Sequence, residues 1–465
     1  MRPFTDGYDE AFAAPGVPRP HYAELLGALD GADLGRLRES VGDRARAAGV
    51  TFGNGDRPQP FIIDPIPRIM AAAEWAALVD GLDQRVRALN AFVEDAYGER
   101  RIVGAGVMAE SVIESAQGYE PDLCRVLPPG PPPIGIAGLD IVRDRDGRLQ
   151  VLEDNVRTPS GFTYAVAARH AVAPVMPDGA APAGTLSESL AALLGGVLRD
   201  AAPDGSGEPS IVVLSDGPEG SAWYEHAEAA RLLGIPVVTL DDLTQRNGEL
   251  HARLEDGTLR RVDVVYRRTD EDGLRDEHGR LTPVAQALVG PWLAGRLAVV
   301  NAFGTGVADD KLVHAHVEDM IRFYLSEEPS LPAVPTLDLG QPGCLEDVLA
   351  SVRDFVVKPR LGHGGTGVVV CAHADDDAIE RLRGELARDP GQFIAQPTVA
   401  ISHHPTVVDG GRLEPRHVDL RPFIFSAASS VGVLPGGLTR VAWDAGALVV
   451  NSSQNGGAKD TWVLT

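Results

Sequence analysis

Residues 205–308 alternate short apolar runs with helical patterns, and this alternation constrains the fold more than any other feature of the sequence. The apolar runs predict strands at 211–214, 237–240, 262–266 and 297–301, and the helical patterns lie at 222–233 and 283–294. Strands that are joined by helices pair in parallel and are covered on both faces. The sequence therefore predicts an α/β unit with a Rossmann-like parallel sheet in this part of the chain.

The length and charge of the chain limit its partners. Its 465 residues are enough for two or three domains. Lysine and arginine number 42 against 66 acidic residues, a net charge of -24, without a basic block. Nucleic acid is bound by clustered basic side chains, so we expect no nucleic-acid partner. No apolar run approaches the ~20 residues of a membrane span, and we expect no membrane partner.

The cysteines and the first residues indicate the compartment. Cys124, Cys344 and Cys371 are widely spaced and odd in number, which is typical of a reducing environment. Residues 1–20 contain acids and lack the apolar core of a secretory signal. We therefore expect a cytoplasmic protein.

A glycine-rich loop lies between two predicted strands. A strand follows the loop, whereas the glycines of a dinucleotide-binding loop open a helix. No Asp-Phe-Gly or Gly-x-Ser-x-Gly sequence accompanies it, so a protein kinase and an esterase are also excluded. Lys358 ends the preceding strand, and a lysine beside free backbone N–H groups suits a nucleotide triphosphate. A plain β-hairpin fits equally well. The loop consists of Gly362, His363, Gly364, Gly365, Thr366 and Gly367.

Two further predicted strands, 139–143 and 148–153, carry acidic residues within apolar sequence. If their turn has two or four residues, Asp140 faces Val151, and alternation places Asp140, Glu153 and Asn155 on one face. Two carboxylates and a carboxamide at close range suit Mg²⁺ or Mn²⁺. The alternative is a solvated hairpin face, which the surrounding apolar residues disfavour.

Four segments, 152–161, 264–270, 356–359 and 451–462, occur in an order that resembles the circularly permuted ATP-grasp proteins. The similarity extends, more distantly, to the glutathionylspermidine synthetases. It implies a permuted ATP-grasp fold in which both ends of the chain surround one ATP. The implied parts are an N-terminal helical region (1–125), an ATP-grasp half with the metal-binding hairpin (126–200), the Rossmann-like domain (205–308), and a half with the phosphate-binding lysine, glycine lid and adenine hinge (309–465).

The resemblance also implies roles for single residues. The metal ligands are Asp140, Glu153 and Asn155, and the loop 362–367 closes as a lid over ATP. The other ATP-binding candidates are Lys311, Lys358, Gln396 in the hinge, and Lys459.

Arginine residues are expected to contact the reacting groups. Arg421 is the catalytic candidate that stabilises the transferring phosphoryl group, with an ion pair to Asp419 as the alternative. Arg157 is a second catalytic candidate. The residues expected to bind the substrate are Arg157, Ser160, Gly161, Arg267 and Arg268, of which the last two point to opposite faces of a strand. No histidine is assigned a catalytic role.

The reaction that the resemblance implies is the ATP-dependent joining of a small carboxylate to an amine through an acyl phosphate. Two alternatives stay open, a phosphotransferase with a non-amine acceptor and a nucleotide-binding scaffold without turnover. A homo-oligomer also stays open.

Overall fold

The structure, a computed structural model, describes residues 7–53, 59–128, 130–205, 207–269, 273–360, 362, 366–448 and 457–464. Within these ranges the strands are β1 (Phe12–Ala14), β2 (Val17–Pro18), β3 (Thr51–Phe52), β4 (Gln59–Pro60), β5 (Ile63–Met70), β6 (Ile136–Arg143), β7 (Leu149–Asn155), β8 (Ile211–Ser215), β9 (Val237–Val238), β10 (Leu243–Arg246), β11 (Glu249–Arg253), β12 (Leu259–Arg261), β13 (Val264–Arg268), β14 (Ala298–Val300), β15 (Leu337–Asp338), β16 (Phe355–Pro359), β17 (Val369–Val370), β18 (Phe393–Pro397), β19 (His403–Val408), β20 (Arg412–Ser426), β21 (Val431–Val441) and β22 (Gly457–Val463). The α-helices are α1 (Ala23–Ala28), α2 (Leu34–Ala47), α3 (Ala72–Tyr97), α4 (Arg101–Gly104), α5 (Glu110–Glu114), α6 (Phe162–Val172), α7 (Leu186–Asp200), α8 (Trp223–Leu233), α9 (Pro283–Leu293), α10 (Lys311–His314), α11 (Val317–Met320), α12 (Cys344–Ala350) and α13 (Asp376–Arg388).

A seven-stranded main sheet draws its strands from both ends of the chain. The order is β5-β22-β21-β20-β6-β7, with β19 paired to β20. β22 pairs in parallel with β5, and the other pairs are antiparallel. The part predicted as an N-terminal helical region thus contributes β5 to this sheet, and the four-part division of the chain stays a prediction.

The predicted parallel sheet is confirmed. Its order is β14-β13-β8-β9, and each neighbouring pair is parallel. Helix α8 packs on β8 and helix α9 on β14. The alternation did not predict the antiparallel sheet β10-β11-β12, which lies between β9 and β13 in the chain and is rich in charged residues.

A third unit carries the predicted phosphate-binding lysine and the hinge. Its antiparallel sheet has the order β15-β18-β16-β17. Asp375 is the N-cap of helix α13, and its carboxylate accepts a hydrogen bond from the Ala378 amide at 2.7 Å. Its residues Ile379, Leu382 and Leu386 recur at helical spacing and are buried in the core of this unit.

The long helix α3 packs against the main sheet. Apolar residues recur along it every three or four positions, so they share one face, and that face is buried. The helix contacts β20 and β21 of the main sheet. The described helices include none with the length and apolar character needed to cross a bilayer.

Candidate functional site

An open cavity of about 960 Å³ lies between the main sheet and the sheet of the third unit. We call it the large cavity. Strands β6 and β7 form part of one wall, and β16, β17 and β18 contribute to the other. The charged residues that line it are Asp140, Glu153, Lys311, Lys358, Asp419 and Arg440.

Asp140 is held by two arginines at the floor of the large cavity. Arg421 donates from Nε to Oδ1 at 2.7 Å and from Nη2 to Oδ2 at 3.0 Å. Arg440 Nη2 lies 2.7 Å from Oδ2 and also bonds Asp419 at 2.5 Å. Burial opposes the charge of Asp140, but the two guanidinium groups outweigh it and lower its pKa to about 2. Burial raises the pKa of Asp419, although the positive charge of Arg440 acts in the opposite direction.

Two lysines lie near Glu153, which is on the same wall of the cavity as Asp140. Lys311 Nζ lies 3.2 Å from Oε1 of Glu153 and donates to the carbonyl oxygen of Gly362 at 2.8 Å. Lys358 is 8% exposed, and its ammonium group has no hydrogen bond or ion pair with a described residue. Burial lowers the pKa of Lys358, and the carboxylate of Glu153 counters that effect. An unpaired, buried ammonium group is therefore available to an anion.

The other part of the lining is apolar with one polar edge. Val370, Val356 and Gln396 lie opposite one another across β17, β16 and β18. The Gln396 Nε2 donates to Thr336 Oγ1 at 2.9 Å, and its buried Oε1 has no partner within the described ranges. Valines beside one carboxamide suit a flat, apolar ring with a polar edge.

The hairpin of β6 and β7, which is predicted to bind a metal, has a register that differs from the predicted one. Asp140 lies opposite Glu153, not Val151, because the turn has five residues and Leu152 is an extra residue in β7. Val151 lies opposite Ile141, and its backbone exchanges hydrogen bonds of 2.9 and 2.8 Å with Pro332 and Val334. Asp140 and Glu153 are therefore direct neighbours.

Only some of the side-chain oxygen atoms of Asp140, Glu153 and Asn155 are available to coordinate a hard cation. Three of the about four acceptor positions of Asp140 are used by arginines. Glu153 shares one oxygen with Lys311, and the Asn155 Nδ2 is buried without a partner in the described structure. Across the described ranges, no group of three or more histidine, cysteine and acidic side chains is arranged to hold a metal. The metal assignment stays a prediction, with Glu153 and Asn155 as its accessible ligands.

Arg421 belongs to the support of the site. The predicted alternative, an ion pair with Asp419, is wrong, because the carboxylate that Arg421 binds is Asp140. Its Nη1 also donates to the Ser160 carbonyl oxygen at 3.1 Å. Arg421 does not line the large cavity, whereas Arg440, which no motif identified, does. The structure therefore brings Arg440, and not Arg421, to the cavity wall.

The loop that follows the hairpin is clamped from the parallel sheet. Arg268 donates to the Pro159 carbonyl oxygen at 2.7 Å and to Glu225 at 2.8 Å. The Gly161 amide donates to the same glutamate at 2.6 Å. Gly161 has φ +123°, and a Cβ there would lie 3.0 Å from a Leu438 methyl group. Only glycine fits this position without strain.

The other predicted arginines are separate from the large cavity. Arg267 is 2% exposed, and its guanidinium lies 4.6 Å from the Phe303 ring centroid. Arg157 Nε lies 3.8 Å from Asp309 Oδ2. The structure does not bring Arg157, Arg267 or Arg268 to the residues that line the large cavity.

Lys459 is also separate from the large cavity. It is fully buried in an ion pair with Asp64. It lies opposite Thr439 in the sheet, one residue from Arg440, so its side chain is on the other face. Lys459 is therefore placed as a structural residue of the main sheet.

The glycine loop is described in part. Gly362 and Thr366 line the large cavity, and the ring of Pro359 lies 2.9 Å from where a Cβ of Gly367 would be. Gly367 has φ +74°, so the turn needs glycine there. His363, Gly364 and Gly365 lie outside the described residues.

Residues 67–442 match the model of a family described as circularly permuted ATP-grasp type 2. The chain belongs to this family. Members of the ATP-grasp family generally use ATP and Mg²⁺.

Similar proteins extend over nearly the whole chain. A protein of Frankia alni with the provisional name glutamate–cysteine ligase 2-3 is 44% identical over 98% of this chain and 54% of its own length. An uncharacterized protein of Synechocystis sp. is 40% identical over 98% of this chain and 97% of its own. This ATP-grasp chain thus spans about half the length of the Frankia relative and nearly all of the Synechocystis one.

A solved structure supports the fold. A glutathione synthetase-like effector from Globodera pallida superposes with a TM-score of 0.56 over 97% of this chain and 100% of its own, at 13% identity. At that identity the likeness concerns the ATP-grasp fold alone.

Proposed function

We propose that the chain is an ATP-dependent ligase that joins a small carboxylate to an amine. The single observation that carries the proposal is Lys358, a buried ammonium group without a partner among the described residues, at the wall of an open cavity. Lys311 places a second positive charge beside it, with Glu153 and Asp140 as acids nearby. Two neighbouring ammonium groups suit a polyphosphate. The valines and Gln396 supply the apolar region that an adenine ring needs.

The residues of the chain take the following parts in this proposal. Lys358 and Lys311 bind the phosphates, and the Lys311 contact with the Gly362 carbonyl oxygen ties the glycine loop to them. Arg440 and Arg421 hold Asp140 in place at the floor. Mg²⁺, when bound, would neutralise phosphate charge, and Glu153 and Asn155, with the last acceptor position of Asp140, would hold it.

The proposed reaction has two displacements. A carboxylate oxygen of the substrate attacks the γ-phosphorus of ATP, the bond to ADP breaks, and an acyl phosphate forms. The amine nitrogen then attacks the acyl carbon, phosphate leaves with the electron pair, and the amine loses a proton. Exclusion of water from the large cavity protects the acyl phosphate, and fixed cations stabilise the developing charge. No nucleophilic side chain is required.

The name of a relative suggests the class of substrate, and the loop 157–161 is the proposed binding place of its carboxylate. The provisional name of the Frankia relative refers to glutamate and cysteine, so amino acids and short peptides are the first substrates to test. The loop 157–161, which the parallel sheet clamps next to the hairpin, is the proposed place for the substrate carboxylate, with Arg157 as the partly exposed cation. Arg267 and Arg268 are buried and would act through the loop and its surroundings.

The test is ATP turnover in the presence of hydroxylamine. The protein is incubated with Mg²⁺, ATP, glutamate, cysteine, pooled amino acids, polyamines and short peptides, and hydroxamates are measured with ADP. ADP together with a hydroxamate supports the ligase. A phosphorylated acceptor without a hydroxamate identifies a phosphotransferase, and ATP binding without turnover identifies a scaffold.

A variant tests the same site. Glu153→Gln removes the charge of the accessible metal ligand and is expected to lower turnover at least a hundredfold without unfolding the chain. Glu24→Gln, at an exposed residue of α1, is the control and should keep full activity. Full turnover in Glu153→Gln would contradict the metal assignment.

A further inference from the structure

A small cavity adjoins the large one, and buried polar groups without partners line it. Glu153, Lys311, Lys358 and Gln396 line both cavities, and His314 lines the small one. The space in it suits about one water molecule. Sequence reasoning assigned no role to His314, which lies three residues after Lys311 on α10.

The ring of His314 has a fixed hydrogen-bond direction. His314 is 3% exposed, and its Nδ1 lies 2.6 Å from Oδ2 of Asp154. Arg85 donates to both oxygens of Asp154, at 2.6 and 2.8 Å, so Asp154 is a carboxylate that can only accept. Arg85 Nη2 also lies 3.1 Å from Nδ1. The contact with the carboxylate oxygen is the shorter of the two, at 2.6 Å, and it needs a hydrogen on Nδ1. In a neutral ring, Nε2 is then an acceptor, and it has no partner within the described residues.

The carboxamide of Gln396 has a fixed orientation for a similar reason. Its Nε2 lies 2.9 Å from Thr336 Oγ1 and 3.4 Å from the carbonyl oxygen of Leu152. Because a carbonyl oxygen can only accept, the nitrogen must face it. The buried Oε1 of Gln396 is thus a second acceptor without a partner in the described structure.

Lys358 supplies the matching donor. Its ammonium group has three N–H donors and lines the small cavity as well as the large one. A water molecule donates two hydrogen bonds and accepts from a donor, which matches two acceptors and one ammonium group. A metal ion does not match the ammonium group of Lys358, which can only donate. The three acids that line the small cavity already have partners: Glu153 has Lys311, Asp154 has Arg85 and His314, and Asp309 accepts from the Val156 and Arg157 amides.

We propose that one buried water molecule in the small cavity joins His314 Nε2, Gln396 Oε1 and the Lys358 ammonium group, and that His314 is a positioning residue for Lys358. This inference rests on the proposed function, in which Lys358 binds the phosphates of ATP. Asp154 orients the imidazole, the imidazole orients the water, and the water holds the ammonium group at the wall of the large cavity. The bridge also satisfies two buried acceptors whose desolvation is otherwise uncompensated.

The first experiment examines the ligand-free protein and needs no activity. Selective ¹⁵N labelling of the histidines reports which ring nitrogen carries hydrogen. The signal of His314 is assigned by its absence in His314→Asn or, if that variant does not fold, in His314→Gln. We expect hydrogen on Nδ1, and an Nε2 without hydrogen that accepts a hydrogen bond. Hydrogen on Nε2 in the neutral ring would overturn the water bridge.

The second experiment measures the affinity for MgATP by calorimetry. His314→Asn keeps an amide N–H for Asp154 and removes the Nε2 acceptor. We expect this variant to bind MgATP about tenfold more weakly, because one bridging hydrogen bond to a charged group is lost. His278→Asn, at an exposed histidine, is the matched control and should bind as the unchanged protein does. Unchanged affinity in a folded His314→Asn would overturn the proposal.

A double-variant cycle tests whether His314 acts through Lys358. Lys358→Met removes the ammonium group, so adding His314→Asn to it should weaken MgATP binding by less than twofold further. A full tenfold further loss would show that His314 acts elsewhere and would overturn the positioning role. If the unchanged protein fails to bind MgATP, the proposed function fails, while the ¹⁵N spectrum still decides on the water bridge.

Discussion

Glu10 connects the N-terminal segment to the main sheet through two buried arginines. Arg68 on β5 lies 2.5 Å from Oε1 of Glu10, and Arg143 on β6 lies 3.0 Å from the same atom. Ser402 donates to it at 2.7 Å. All of these side chains lie in the core. We predict that Glu10→Gln strongly destabilises the chain, because it leaves two buried cations with reduced compensation.

The pKa of Glu10 sets the magnitude of that effect. Burial opposes ionisation, but Arg68 and Arg143 outweigh it and lower the pKa from 4.5 to about 2. At about 1.36 kcal/mol per pKa unit, the difference of about 2.5 contributes about 3 kcal/mol of stability at neutral pH. Breaking a buried ion pair costs a similar amount, about 3 to 5 kcal/mol.

The pH dependence follows from the direction of the shift. A carboxyl group whose pKa is lowered in the folded state stabilises fully above its unfolded pKa, and this contribution is lost as pH falls toward the folded pKa. For Glu10 the window runs from 4.5 down to about 2. The difference between Glu10→Gln and the unchanged protein should therefore be largest at neutral pH and should shrink through this window.

Urea unfolding at pH 7, 5 and 3 measures the effect. Two probes, tryptophan fluorescence and far-ultraviolet circular dichroism, must give coinciding transitions for the free energies to be meaningful. Glu24→Gln, an exposed glutamate in the same segment, is the matched control and should change stability by less than ~0.5 kcal/mol. A loss below about 1 kcal/mol at pH 7, or a loss that grows toward pH 3, would refute the reasoning.

Three further substitutions separate the site from its support. Lys358→Met should weaken MgATP binding at least tenfold while leaving the unfolding midpoint unchanged or higher, because the ammonium group is buried and unpaired among the described residues; a clear drop in midpoint would contradict this. Lys459→Met should cost about 3 to 5 kcal/mol, because it leaves Asp64 buried without its cation, with the MgATP affinity of the folded protein unchanged in calorimetry. Gly161→Ala should cost about 1 to 3 kcal/mol in urea unfolding and lower turnover, because its φ of +123° and the close Leu438 methyl group resist a Cβ; wild-type stability and turnover would show that the loop is not tightly held.

Local patterns predicted the elements and the types of residue at the site. Apolar runs alternating with helical patterns were enough for the parallel sheet, because side-chain periodicity follows from backbone geometry alone. Acids within an apolar strand indicated a buried charged hairpin, since uncompensated charge is costly to bury. The order of four motifs indicated the permuted ATP-grasp fold, and the family match confirms it.

The choice of partners was decided by the tertiary structure. Arg421 and Arg440 both converge on Asp140, which is 281 residues from Arg421 in the chain, and no local pattern reports such a pairing. The bulge at Leu152 changes the register of the hairpin, and the residue before it, Val151, bonds to residues 332 and 334, which are remote in the chain. His314 gained its orientation from Asp154 in the same way.

By itself, the sequence determined which residues carry charge, which segments form the parallel sheet, and in what order the ATP-grasp motifs occur. Only the tertiary structure decided that Lys358 is left without an acid of its own among the described residues, while Lys459 is neutralised by Asp64. Both lysines lie on strands, and the local sequence does not show that a remote acid neutralises one of them and not the other. They differ because burial and the distance to the next charge are set by packing between remote segments, and these set the electrostatic energy.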